Sequence, residues 1–129
     1  MRIELICLVA NALWGFGLVF LEVNAKTRVA GLAWNMGNRD GAPAFPAWID
    51  RCGRALSNHK ENFPLFLTAV VVAVLTGHVN QVTAAAAIVY LVARTLHAVL
   101  YIGGITRVRS AVWVIGALAT LAIFSQLLF

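Results

Sequence analysis

Four apolar stretches dominate this chain: Ile3–Leu21, Phe63–Thr76, Val82–Gly103 and Val108–Phe129. The first, third and fourth each reach the ~20 residues needed to cross a hydrocarbon core of ~30 Å as helix. A soluble fold does not accommodate them. The chain has 129 residues, of which 61% are hydrophobic and 12% charged, and a domain of this size has too little interior to hide that much apolar surface. The stretches predict an all-α integral membrane protein, a bundle of four transmembrane helices forming one domain over residues 1–129. No length is left for a separate soluble domain.

The second stretch is the odd one. Its 14 residues make only about 21 Å of helix at 1.5 Å per residue. To span, it must run back through Glu61 to Asn58, giving expected spans near 3–21, 58–77, 82–103 and 108–129. Polar residues are thereby drawn to the membrane edge or into the bundle interior.

The basic residues set the expected orientation. Of ten Lys and Arg, six (Lys26, Arg28, Arg39, Arg51, Arg54 and Lys60) fall between the first and second spans, and Arg107 and Arg109 fall between the third and fourth. The connection Gly77–Gln81 has none. The positive-inside rule puts both basic loops in the cytoplasm and both termini in the periplasm of an inner (plasma) membrane. The net charge of +5 is thus assigned to topology, and no nucleic-acid partner is expected. A cleaved signal peptide ending near Val23-Asn24-Ala25 would send the Arg-rich loop outside, and its apolar run exceeds the usual core of about 7–15 residues. The first span is therefore expected to be retained. Cys7 and Cys52 fit no disulfide framework or paired metal motif, so free thiols and no metal site are expected. The loop over about 22–50 carries turn signals at Asn38–Gly41 and at Pro43 and Pro46, with Trp34 and Trp48 suited to the membrane interface.

The polar residues inside the spans carry the chemistry. On the second helix Arg54, Asn58 and Glu61 recur at i, i+4, i+7 and share a stripe about 60° wide. On the third, Tyr90, Arg94, His97 and Tyr101 recur at i, i+4, i+7, i+11 on one face. Arg94 lies nine residues before Gly103, about 13 Å deep. Charges at such depth are rare and face a partner in the bundle, and Glu61 is the acid expected to pair with it. Such a pair can serve merely as a register clip; Asn58, His97 and Tyr101 beside it make more than a clip. On the fourth helix Arg107 reads as a topology anchor, while Arg109 shares a face with Trp113 at i, i+4. Gathered together, Arg54, Arg94 and Arg109 form a cationic pocket open to the cytoplasm. It is suited to a small ligand with carboxylates, with Glu61 left for an ammonium. Pro64, one turn after Glu61, either kinks the helix or aims that side chain.

Two stretches carry a family resemblance. Arg51-Cys52-Gly53-Arg54-Ala55-Leu56-Ser57-Asn58-His59-Lys60-Glu61-Asn62-Phe63-Pro64 resembles the second-helix signature of the MAPEG family, membrane-associated proteins in eicosanoid and glutathione metabolism. Arg94-Thr95-Leu96-His97-Ala98-Val99-Leu100-Tyr101, followed by Arg109-Ser110, is similar to its third- and fourth-helix motif. The short loops look most like the bacterial branch. The resemblance implies a homotrimer in the lipid bilayer with glutathione bound between neighbouring subunits on the cytoplasmic side. It implies glutathione contacts from Arg54, Asn58, Glu61, Arg94, His97, Tyr101, Arg109 and Ser110. Arg28 or Lys26 of the first helix would reach over from the adjacent subunit. Arg109 matches the arginine that stabilises the glutathione thiolate, since a nearby guanidinium keeps a thiol ionised. Ser57 and Trp113 depart from the pattern: some members carry arginine and tyrosine there.

Three functions follow as alternatives. The first is a glutathione transferase or peroxidase acting on small lipophilic electrophiles that partition into the bilayer. The second is a catalytically silent scaffold or binding protein. The third is a four-helix multidrug transporter, disfavoured because the first span has Asn11, not an acid, at mid-depth.

Overall fold

The computed structural model describes residues 2–128. Helix α1 (Ile3–Ala30) outlasts the apolar stretch that nucleates it by nine residues. Glu22 and Lys26 support the extension, one turn apart and paired at 2.6 Å. Gly31, at φ +89°, ends the helix. Most of the expected loop over 22–50 is therefore shorter than the sequence implied. It holds a short helix α2 (Leu32–Met36) and a turn in which Arg39 and Gly41 take positive φ, where the Asn38–Gly41 signal put it.

Helix α3 (Ala47–Thr76) has 30 residues and contains Pro64. It begins well before the short apolar stretch, so the polar segment from Asp50 to Asn62 is helical throughout. Helix α4 (Gln81–Gly103) opens on a capping box between Asn80 and Thr83, which satisfies amides that the helix start would leave bare. Gly77 and Gly104, both in the left-handed region, stop α3 and α4 sharply enough for four- and two-residue connections. Helix α5 (Thr106–Ser125) completes the chain.

The most extensive packing is between α4 and α5, followed by α1 against α3 and α3 against α4. Ala86, Ala87 and Ala93 keep α4 slim on its buried side, which lets helices approach closely where lipid gives no hydrophobic drive to associate. Phe66 of α3 stacks on Tyr90 of α4 with ring centroids 3.8 Å apart. The outer surface is apolar: Leu13, Phe16, Phe20, Val92, Leu118 and Leu121 all face outward. The inside holds Asn11, His59, Arg94 and His97. That inversion is the pattern of a protein whose solvent is hydrocarbon. Helices α1, α4 and α5 are long and apolar enough to cross a membrane. Helix α3 has the length, but Arg51, Arg54, Lys60 and Glu61 crowd its first half.

Cys7 and Cys52 are free and buried. Burial pushes the Cys52 thiol above its ordinary value, and the nearby Glu22 carboxylate adds to this.

Candidate functional site

The stripe expected on the third span lies inward. Tyr90, Arg94 and His97 are buried, and Tyr101 is half-buried at the end of α4. Arg94 is 2% exposed. One of its terminal nitrogens donates to Asn58 Oδ1 at 2.6 Å and to the Asn58 carbonyl at 3.2 Å. The expected Glu61–Arg94 pair is not formed. Glu61 is exposed and accepts from Ser57 at 3.3 Å, and Lys26–Glu22 is the only ion pair among the described residues. Helical geometry explains the difference. Cys52, Ala55, His59, Phe66, Val70 and Ala73 trace the buried side of α3, and within the polar stripe Asn58 lies nearest that side. Arg54 and Glu61 lie farther round and point outward.

Asn58 also lines a cavity of about 350 Å³, with His97, Tyr101, Arg109, Ser110 and Trp113. The short Gly104–Ile105 connection brings the last turn of α4 against the first turn of α5. The Arg109 guanidinium consequently lies over the Tyr101 ring, 4.1 Å from its centroid. His97 meets the same ring edge-on at 5.7 Å. Ser110 donates to the Thr106 carbonyl at 3.2 Å, and its oxygen still has lone pairs to offer. Arg94 lies directly behind Asn58, so two guanidinium groups flank the cavity without an acid between them. Such a cavity favours an anion and holds hydroxyl, imidazole and amide groups to orient it.

Three of the expected site residues stand apart in the single chain. Arg54 and Glu61 lie on the outer side of α3. Arg28 borders a different cavity, of about 220 Å³, with Asn24, Pro46 and Trp48. Lys26, its alternative, is held by Glu22 and lies 5.8 Å from the Phe45 ring centroid.

Other interior residues escaped the sequence reading. His59 is buried against Gly15 of α1, where an added methyl group would come within 2.5 Å of the imidazole Nε2, and it stacks on Phe63. Its signal was its place one turn beyond Ala55 on the buried face. Asn11 is completely buried; as the one polar residue in the middle of an apolar run it was visible, and its role was not. Arg51 donates from Nε to the Ile102 carbonyl at 2.8 Å. Nothing in the sequence separates it from the other basic residues of its segment, because its partner is 51 residues away. At the opposite end of the bundle Thr83 donates to the buried Glu4 carboxylate at 2.6 Å. A larger groove, about 540 Å³ between α4 and α5, is lined almost wholly by Ala, Val, Ile and Leu and offers no group able to do chemistry.

The model of the MAPEG family matches residues 5–129, nearly the whole chain. No individual curated protein matches it.

Proposed function

Because the chain belongs to the MAPEG family, membrane proteins of eicosanoid and glutathione metabolism, we propose that it binds glutathione and transfers it to lipophilic electrophiles, or reduces lipophilic peroxides with it. In this reading all four long helices span an inner membrane, with Asn58 and His59 of α3 turned into the bundle and Arg54 and Glu61 turned out of it. Three copies assemble, and the site opens toward the cytoplasm.

The cavity of Asn58, His97, Tyr101, Arg109 and Ser110, backed by Arg94, carries the reading. Glutathione brings two carboxylates, an ammonium and a thiol. Arg94 and Arg109 supply the positive field for the anionic groups, with Asn58, His97 and Ser110 as uncharged partners. The Arg109 guanidinium lies over the Tyr101 ring, 4.1 Å from its centroid. A guanidinium fixed near the sulfur stabilises the thiolate over the thiol. The thiolate attacks the electrophilic carbon, and the leaving group departs with the bonding pair. Trp113 and Val114 stand at the outer rim of the cavity, where a molecule dissolved in the bilayer can reach the sulfur.

Arg54, Glu61 and Arg28 belong to this site through the neighbouring copy. An exposed carboxylate and guanidinium on a membrane helix are costly against lipid and are relieved at a subunit boundary, where they also meet the ligand. Glu61 would take the ammonium. The same outward charges favour the scaffold reading, in which they serve assembly alone.

The test is thermal unfolding of the detergent-solubilised protein with and without glutathione, followed by ultraviolet absorbance of the bound thiolate and conjugation of an aryl halide. A ligand that binds only the folded protein must raise its melting temperature. A rise with thiolate absorbance and turnover supports the enzyme, and a rise without them supports a binding protein. No rise removes glutathione from the account.

A further inference from the structure

We propose that Arg51 is a positioning residue for the Tyr101–Arg109 pair, acting through the end of α4; the proposal rests on the glutathione reading above. The last four carbonyls of a helix lack partners within it. In α4 these belong to Leu100, Tyr101, Ile102 and Gly103. The amide of Ile105 bonds the Leu100 carbonyl at 3.0 Å and that of Gly104 the Tyr101 carbonyl at 3.1 Å, the arrangement a left-handed glycine makes possible. Arg51 of α3 takes the next one, Ile102, at 2.8 Å. Its guanidinium also lies 3.5–3.7 Å from where a Gly104 side chain would begin. One planar group thus holds the connection from two directions, as hydrogen-bond donor and as a plate against the glycine. Its positive charge is also favourable at a helix C-terminus.

The placement matters because of what lies on either side. Tyr101 immediately precedes the carbonyl that Arg51 holds. Arg109 follows Ile105 by four residues, about one turn of α5. The direction in which the chain leaves Gly104 therefore sets the distance between the Tyr101 ring and the Arg109 guanidinium. Arg51 lines no part of the cavity and does not touch the ligand site. Its effect on the sulfur passes through this connection.

The experiment compares the wild type with Arg51→Lys and Arg51→Met in the intact detergent-solubilised protein, with glutathione as the probe. Melting temperature reports folding and binding, thiolate absorbance against pH reports the sulfur, and aryl-halide turnover gives kcat and KM. Arg51→Met keeps the stem but has no donor. In this variant thiolate at neutral pH and kcat are expected to fall together by about tenfold, with the KM for glutathione changing by less than about threefold. Arg51→Lys keeps a donor and charge and is expected to stay within about threefold of wild type. Should the Met variant not fold, Arg51→Gln, too short to reach Ile102, is read in the same way. A folded Met or Gln variant with the wild-type thiolate titration overturns the proposal. So does a loss in which kcat falls only in proportion to folded protein. Absence of thiolate in the wild type is a different failure, that of the glutathione reading itself.

Discussion

The Arg94 guanidinium meets Asn58 twice, 2.6 Å from the side-chain oxygen and 3.2 Å from the backbone carbonyl. A neutral amide satisfies hydrogen bonds but cancels no charge, so the interior of the bundle keeps a net positive group just behind the cavity. Had Glu61 turned inward, the field would have been quenched. The sequence carries an acid close by on the same helix, and the fold uses the amide.

Substitutions at Asn58 separate these two effects. Asn58→Ala leaves a buried cation with only a backbone acceptor and is expected to cost about 2 kcal/mol, read as a lower melting temperature in detergent. Asn58→Asp supplies the missing negative charge. It is expected to keep or raise stability while weakening glutathione about tenfold or more, about 1.4 kcal/mol, read by thermal shift across a glutathione titration.

Arg109→Ala is expected to remove the thiolate signal while leaving much of the binding. With the guanidinium gone from the Tyr101 ring, absorbance at neutral pH should drop by about tenfold or more. Added glutathione should still raise the melting temperature, since the carboxylate partners remain. Equal loss of both signals would make Arg109 a binding residue only.

Gly15 is expected to tolerate no side chain. Gly15→Ala pushes a methyl group into the His59 ring, which is boxed in by Phe63, and overpacking of this kind costs about 1–3 kcal/mol. Gly17 lies two residues on, with nothing within 4 Å of an added methyl group. Gly17→Ala is therefore expected to be neutral or mildly stabilising in the same melting experiment.

Cys52 is expected to stay silent toward a water-soluble maleimide at neutral pH. It is buried, and burial holds the thiol in its protonated, unreactive form. Labelling in dodecyl sulfate and none in mild detergent is the expected outcome. Labelling in the folded protein would mean that the start of α3 opens.

The two cations at the end of α1 are expected to differ. Lys26 is committed to Glu22, a half-exposed pair worth at most about 1 kcal/mol. Lys26→Ala should change stability slightly and glutathione affinity little. Arg28 has no ion-pair partner among the described residues, and Arg28→Ala should weaken glutathione several-fold with the melting temperature unchanged. The reverse order would assign the role to Lys26.

Much of the fold was legible because lipid imposes a simple rule: apolar residues must be continuous over the span. That rule found α4 and α5 within a few residues, and the start but not the end of α1. It found α3 as an exception, and the exception was the informative element. The inward face of α4 was legible from the spacing of Tyr90, Arg94, His97 and Tyr101. The partner of Arg94 was not. Charge complementarity pointed to Glu61, while the choice was made by where Asn58 stands on the circumference of α3, a matter of helix rotation that no spacing within one helix records. Arg51 was illegible for a related reason: a guanidinium bonding a backbone carbonyl leaves no mark on the partner's side chain. The helical tail of α1 was hidden because its residues are polar, and intrahelical pairing, as of Glu22 with Lys26, extends a helix without any apolar signal.

The order of synthesis gives the α5 contact a further meaning. Gly116 of α5 passes so close to Arg94 that a methyl group there would sit 3.4 Å from the arginine stem, so α5 covers part of the buried arginine. Asn58 leaves the ribosome 36 residues ahead of Arg94, and the acceptor is already present when the guanidinium needs it. The covering helix comes only afterwards. A nascent chain halted before Gly116 would therefore hold its buried arginine hydrogen-bonded to Asn58 but not yet covered by α5.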